Sequence, residues 1–408
     1  MDTKNSNQHF KNVQTDISKN ISLIVRIDSL LNNFSNIPSL PGFRSEFLKQ
    51  KTAIELMSFL TYERSEFTPE IVGQILAGDS LPMGKKYLED EGKNLIAIKK
   101  ELFKEFTIEK KPGNLTPELI KRIHRLAPDN SEKGKEIQLT NEQEEWISKF
   151  LEWLEKEVVF EGGSGSEVFI KAIIIHAYFE WSQPFRKASR LTGYLLEYVL
   201  LLSGGIPNMA THILPVFYHE TRTEYLNKLE SVKTNGDMAG FITYALQGVY
   251  DGLEDIVRSF QVQQLIITWE HYLDTTLNND NSAGNKVTIR QKELMHAFPL
   301  YIGDGLSFEE VLVLNSTLAR AYAKRAKTAR RDLAALTELG LLVKNGKKYY
   351  PNVAAILGEA ALRSSLVKLE QLTTRKEIKH SHHVMPKVGV REMKSELLYT
   401  LNELSGRG

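Results

Sequence analysis

Residues 167–205 carry two apolar segments, EVFIKAIIIHAYFE and LLEYVLLLSGG, separated by a short break. A helix that is apolar on every side is buried on every side. Two such helices joined by a short loop demand a helical core with both of them inside it. The break reads WSQPFRKASRLTGY (181–194). It offers Gln183, Pro184 and Phe185, the cations Arg186, Lys187 and Arg190, and the hydroxyl of Ser189. These are residue types of a binding site, yet the stretch holds no histidine, carboxylate or cysteine.

Composition narrows the classes. The chain has 408 residues, room for two or three domains, and no cysteine. Disulfides, zinc-thiolate sites and cysteine nucleophiles are excluded. A net charge of +1 gives no global pull toward nucleic acid or membrane. The polar start MDTKNSNQHFKN lacks the apolar run of a signal peptide, and no stretch approaches the roughly 18 apolar residues of a membrane span. The expectation is a cytoplasmic protein with no membrane partner.

Helical periodicity dominates up to about residue 285. Residues 43–60 carry apolar side chains at helical spacing, and TPEIVGQILAG starts a helix with Thr68 as N-cap, Pro69 at N1 and Gly78 as the stop. Residues 84–110 read as a helix with its charges on the open face. LTPELIKRIHRL (115–126) repeats the Thr-Pro-Glu start, 128–140 read as loop, 141–160 as helix, and GGSGS (162–166) as a flexible break. PVFYHETRTEYLNKLESV and DMAGFITYALQGVYDGLEDIVRSFQVQQL are amphipathic helices parted by the turn TNGD. NNDNSAGN (278–285) marks a domain boundary. Beyond it, ARRDLAALTELGLL (329–342) reads as a helix ending at Gly340, and LVKNGKKYY as a hairpin turning at Asn-Gly. Helix, turn, helix and hairpin in this order form a winged helix-turn-helix pattern.

This order of elements resembles the Fic-domain (Fido-fold) proteins from about residue 43 to 260, with their frequent winged-helix partner at 286–350. LTPELIKRIHRL is similar to the family's early helix, EVFIKAIIIHAYFEWSQPF to its central helix and catalytic loop, and PVFYHETRTEYLNKLESVKTNGDMAGFITYALQGV to its closing helices. The resemblance implies a mostly α fold: an N-terminal helical region (1–110) with an inhibitory-helix-like segment, a Fic-like core (111–277), a small α+β winged helix (286–360) and a helical or polar tail (361–408).

The family's loop pattern is His-Pro-Phe-x-(Asp/Glu)-Gly-Asn-(Gly/Lys)-Arg-x-x-Arg, and its usual activity moves AMP from ATP to a protein hydroxyl. Its histidine is the general base, its acid holds the metal, and its glycines and arginines bind phosphate. Here Gln183 stands at the histidine, Pro184 and Phe185 match, and Lys187 stands at the acid. Ala188, Ser189 and Arg190 replace the Gly-Asn-Gly nest, and Leu191 and Tyr194 replace the two arginines. A glutamine amide takes no proton near neutral pH, though it can orient a hydroxyl. A lysine puts a cation where Mg²⁺ requires oxygen ligands. The resemblance therefore implies a degenerate site, with no metal ligand set and with ATP and Mg²⁺ as doubtful cofactors. Arg186, Ser189 and Arg190 remain an anion or nucleotide grip, the alternative being cations solvated at a loop. His176 lies about 10 Å along the helix from Gln183, and reads as a core histidine rather than a replacement base.

The family's inhibitory helix pairs a glutamate with the second loop arginine. KTAIEL (51–56) is similar to it, with Glu55 at the glutamate, but Lys51, Leu56 and Tyr194 depart from the pattern. The expectation is a decayed clamp, Glu55 being either an ordinary helix glutamate or the holder of a residual polar contact.

Residues 285–408 hold 21 Lys+Arg against 12 Asp+Glu, an excess of nine that suggests an anionic partner. Lys324, Arg325, Lys327, Arg330 and Arg331 gather at the start of the candidate recognition helix, with Thr328 as its expected cap, and Lys344, Lys347 and Lys348 sit on the wing. HSHH (380–383) reads as a polar loop, not a metal site. The functional expectation is a catalytically degenerate Fic-like protein that binds DNA or a protein partner as a regulator, its core a scaffold, dimerisation surface or ligand sensor. The alternatives are an active nucleotidyl- or AMP-transferase of altered chemistry using the Arg186–Lys187–Arg190 cluster, and an antitoxin-like protein-interaction module.

Overall fold

The structure, a computed structural model, describes residues 18–37, 41–63, 66–127, 139–157, 164–185, 188–278, 287–298 and 305–356. The predicted features at Arg186, Lys187, 128–138, HSHH and the 361–408 tail lie outside the described residues. In chain order the first helices are α1 (Ile21–Asn36), α2 (Pro41–Glu63), α3 (Pro69–Ala77), α4 (Lys86–Phe103), α5 (Pro117–Leu126) and α6 (Asn141–Glu157). Then come α7 (Gly165–Ser182), α8 (Ser189–Ser203), α9 (Ile213–Glu220), α10 (Arg222–Asn235) and the long α11 (Met238–Asn278). The last elements are α12 (Ile289–Ala297), β1 (Leu306–Ser307), α13 (Phe308–Val311), α14 (Ser316–Tyr322), α15 (Ala326–Glu338), β2 (Leu342–Asn345) and β3 (Lys348–Pro351). The chain is thus mostly helical with one small antiparallel sheet. It divides into two compact units, Met1–Arg258 and Ser259–Gly408, the division falling inside α11.

The first unit is built around α7 and α8. Every residue from Ala172 to Glu180, and from Thr192 to Val199, is buried. Gly193 permits the close approach of the two helices: a Cβ there would lie 2.6 Å from the Cβ of Phe179. Around this pair, α1 and α10 pack on α7, α4 and α5 pack on α8, and α2 packs on α3 and α9. The predicted caps form. Thr68 accepts from Ile71 N, Thr116 accepts from Leu119 N at 3.2 Å, and Gly78 ends α3 with φ 84°.

Three helix expectations are corrected here. PVFYHETRTEYLNKLESV, expected as one helix, divides at Thr221 into α9 and α10. The GGSGS break is shorter than predicted, because Gly165 and Ser166 already belong to α7, where Ser166 N donates to Asp28 Oδ1 at 2.9 Å. The helix predicted at 84–110 begins at Lys86 and widens into a π-turn at Lys104–Ile108. Its charges are not all on an open face, since Glu89, Lys99 and Glu105 are buried. No helix among the described residues is long and apolar enough to cross a membrane.

The second unit has its own core, in which Trp269, Leu273 and Leu277 meet Leu294, Val311, Leu318, Leu333, Leu336 and Leu342. Its sheet has the order β1-β3-β2, all antiparallel. Two local predictions are corrected here. The helix predicted from 329 starts at Ala326, so Thr328 lies inside the first turn and Arg325 holds the N-cap position. The hairpin turns on Gly346 and Lys347 rather than on Asn345 and Gly346, because Asn345 still pairs with Lys348; Gly346 supplies the positive φ of 57°.

These contacts set two opposite outcomes for glycine replacement. Gly193→Ala should destabilise the first unit by about 1–3 kcal/mol, because the methyl overpacks against Phe179. Gly73→Ala, on an exposed face of α3 with nothing within 4 Å, should stabilise it by about 0.5–1 kcal/mol. Urea unfolding followed by tryptophan fluorescence checks both.

Candidate functional site

The loop between α7 and α8 is held by its own residues. Gln183 leaves the helix with φ 44°, a left-handed conformation that costs a non-glycine residue energy, and its side chain is exposed. Pro184 O accepts from Gln143 Nε2 at 3.1 Å, which ties the loop to the first turn of α6. Phe185 is buried and stacks on the His124 ring, with centroids 4.0 Å apart. Its N–H donates to Ser189 Oγ at 2.7 Å. Ser189 is fully buried, so its hydroxyl closes the turn and presents nothing to a ligand. Arg190 Nε donates to Glu180 Oε1 at 2.7 Å, joining the last turn of α7 to the first of α8.

The expected anion grip therefore loses two of its three members. Arg190 is matched by an acid, Ser189 is occupied, and Arg186 lies outside the described residues. No three His, Asp or Glu side chains among the described residues converge to hold a metal, and Glu180, beside the loop, is engaged by Arg190.

His124 fixes the loop from α5. Its Nδ1 lies 3.2 Å from Thr192 Oγ1, and that hydroxyl donates to Ala188 O at 2.8 Å. With the hydroxyl proton committed to Ala188, the ring nitrogen acts as donor. Burial holds the imidazole well below its usual range, at about 4, so the ring is neutral at pH 7.

Behind the loop, the first unit buries a charged network. Glu55 of α2, Lys99 of α4 and Tyr194 of α8 meet: Lys99 forms an ion pair with Glu55, Tyr194 Oη donates to Glu55 Oε1 at 2.8 Å, and Lys99 Nζ donates to Tyr194 Oη at 3.1 Å. The ammonium also faces the Tyr198 ring at 4.2 Å from its centroid. Burial lowers the Lys99 pKa against the pull of Glu55, and burial together with the Glu55 carboxylate raises that of Tyr194. Of the two alternatives for Glu55, the structure shows the polar contact: it meets residue 194 through a phenol.

One turn further along α8, Glu197 Oε2 lies 3.0 Å from His176 Nδ1, in ion-pair range without hydrogen-bond alignment, and His176 Nε2 lies 2.9 Å from Tyr225 Oη. Burial raises the Glu197 pKa. His176 is the core histidine expected from the sequence, buried and engaged with Glu197 and Tyr225.

In the second unit, Asp332 is buried in α15. Arg290 of α12 binds it with both arms, Nε to Oδ2 at 2.5 Å and Nη2 to Oδ1 at 3.0 Å, while Tyr322 Oη donates to Oδ2 at 3.0 Å. The outward cations behave differently. Lys324, Arg325, Lys327, Arg330, Arg331, Lys344 and Lys347 are exposed, and none forms an ion pair among the described residues. Arg330 stacks on the Phe308 ring at 4.8 Å and Lys344 lies 5.7 Å from the Tyr349 centroid. Lys348 is half-buried and feels the Glu310 carboxylate, which weakens it as an anion contact. The structure thus brings Lys327, Arg330 and Arg331 together on α15 and Lys344 and Lys347 onto the hairpin, with Thr328 half-buried in the first turn of α15.

The buried Lys99, Glu197 and Asp332, and the half-buried Arg290, escaped prediction, although a signal was there. Lys99 falls on the apolar stripe of Leu95, Ile98 and Leu102, and Asp332 on that of Ala329, Leu333 and Leu336. A charge on a buried stripe implies a buried partner.

Two stability outcomes follow. Lys99→Met strands Glu55 in the core and should cost about 3–5 kcal/mol, most of which Glu55→Leu in the same chain should restore; paired urea titrations measure the difference. Between pH 6.5 and about 4 the unfolded chain protonates His124 and the folded chain does not, so stability falls as pH falls through that window. His124→Phe keeps the stack on Phe185 and should shrink the loss of stability between pH 7 and pH 5, read from the shift of the urea midpoint.

No protein-family model matches the chain, and no curated protein matches it.

Proposed function

We propose that the chain is a Fic-like protein whose loop has lost transferase chemistry and whose C-terminal module, a winged helix, binds duplex DNA. The helical core then acts as scaffold or partner-binding surface for a regulator. The carrying observation is the set of exposed, acid-free cations on α15 and the hairpin. Residues 305–356 hold nine Lys+Arg against four Asp+Glu, and one of those acids, Asp332, is buried against Arg290. Long exposed cations without acid partners leave their charge for an outside anion, and phosphate neutralisation is the main source of DNA affinity. The order α14, turn, α15, hairpin supports a recognition helix flanked by a wing.

Three features support the Fic-like reading of the core. Pro184 and Phe185 join the two buried helices, Glu55 meets residue 194 as that family's pattern pairs them, and TPELIKRIHRL supplies the helix against which Phe185 stacks. Arg190 and Ser189, spent on Glu180 and Phe185, weigh against an active transferase of altered chemistry.

Binding to a labelled duplex should fall steeply with salt. About five phosphate contacts predict a log–log slope near −4.5, a loss of roughly 500-fold between 50 and 200 mM. Lys344→Ala with Lys347→Ala should make the slope shallower by about two. Incubation with labelled ATP, Mg²⁺ and cell extract should leave no adenylate on the chain or other proteins. Robust labelling would overturn the degenerate-site reading, and absent or salt-insensitive duplex binding would favour a protein-interaction module.

A further inference from the structure

The outward face of α15 is a stripe with a definite composition. Lys327, Arg331, Ala334 and Glu338 follow one another at spacings of four, three and four, and all are exposed. At about 100° per residue this stripe lies opposite the buried stripe of Ala329, Asp332, Leu333 and Leu336. Arg330 lies a quarter-turn away on one flank, where its guanidinium stacks on Phe308 of α13. Two adjacent arginines therefore have unlike surroundings. One projects from the centre of the free face, while the other is held against an aromatic ring at the edge.

We propose that these arginines divide the work of duplex recognition: Arg331, with Lys327 one turn before it, reads guanine in the major groove, and Arg330 grips the phosphate backbone. The inference rests on the reading that this module binds DNA. The chemistry assigns the roles. A guanidinium projecting from the centre of a groove-facing helix matches the O6 and N7 acceptors of guanine with two donors. One turn on, Ala334 is small enough to let the helix approach the bases, and its methyl suits contact with a thymine methyl. Glu338, at the far end of the same stripe, repels phosphate and favours docking through the N-terminal half of α15. A guanidinium stacked at the flank stands toward the groove wall, where the backbone runs. The hairpin cations Lys344 and Lys347 extend the same phosphate-facing role.

The test uses the full chain and a randomised duplex pool, followed by anisotropy titrations of the selected duplex and of bulk DNA from 50 to 200 mM salt. The wild-type chain should enrich a motif containing guanine. Arg331→Ala should lose that preference, weakening the selected duplex roughly 5- to 150-fold more than bulk DNA. Arg331→Lys should keep the salt slope and recover part of the preference. Arg330→Ala should weaken every sequence alike and make the slope shallower by about one. Both side chains are exposed on a helix, so alanine at either position leaves the fold intact. If the wild-type chain binds DNA but enriches no motif, or if Arg331→Ala weakens all sequences equally, or if Arg330→Ala changes the preferred base, the division of roles is wrong while DNA binding stands. If the wild-type chain binds no duplex at the lowest salt, the DNA reading fails and the division of roles falls with it.

Discussion

An ammonium largely withdrawn from water has to be neutralised where it sits, and Lys99 is such a group. It lies where α2, α4 and α8 meet, and Glu55, Tyr194 and Tyr198 satisfy it from two of those helices. Removing a charge from water costs several kcal/mol even after relaxation, so the three helices are constrained to keep these groups in register. Tyr194 makes the arrangement specific. A phenol donates one hydrogen bond to Glu55 and carries no charge, so the positive charge that balances the carboxylate comes from α4 instead of α8. Glu197 and His176 continue the polar line along α8 to α7 and, through Tyr225, to α10. The central helix pair is thereby tied by buried polar contacts to the helices around it.

The apolar architecture was legible in the sequence because it rests on periodicity. The Thr-Pro-Glu starts of α3 and α5 and the all-round apolar character of α7 and α8 follow from local pattern, whereas the break at Thr221 that divides PVFYHETRTEYLNKLESV into α9 and α10 carries no Gly or Pro signal. The polar architecture was less legible because its partners are distant in sequence. Glu55 and Tyr194 are 139 residues apart and His124 and Thr192 are 68 apart, and no local rule pairs them. The hairpin slip by one residue has a different cause. Asn-Gly is a strong turn signal, but moving the turn to Gly346–Lys347 lets Asn345 remain in the ladder and keeps the single positive φ on glycine. The α15 start moved for a related reason. Ala326 and Lys327 are good helix formers, so the helix extended through Thr328 although that residue is also a competent cap.

The two units treat their cations in opposite ways. Outside residues 285–408 the chain holds 31 Lys+Arg against 39 Asp+Glu, and in the first unit Lys93, Lys99, Lys121, Arg122, Lys149 and Arg190 each meet a carboxylate. There an acidic surplus surrounds the bases and satisfies them internally. In the second unit the bases outnumber the acids, and two of the acids are used elsewhere: Asp332 on Arg290, and Glu310 on the N-terminus of α13. Surface ion pairs contribute little to stability, so leaving cations unpaired costs the fold little while preserving a positive field over one face.

That field is useful only if the helix presenting it is held still, and the buried contacts of Asp332 do this. The two-armed contact from Arg290 and the hydroxyl of Tyr322 fix the rotation of α15 about its own axis, because the carboxylate sits on the stripe directly opposite Lys327 and Arg331. Rotating α15 by one residue, about 100°, would withdraw Asp332 from both partners and carry Arg331 off the free face. The same residue that costs desolvation in the core therefore decides which side chains face outward. A hydrophobic residue at 332 would fill the space but leave Arg290 without its acid, and would pin the rotation only by shape. The buried acid and the exposed bases of α15 are two sides of one constraint, which couples the packing of the second unit to the face it turns outward.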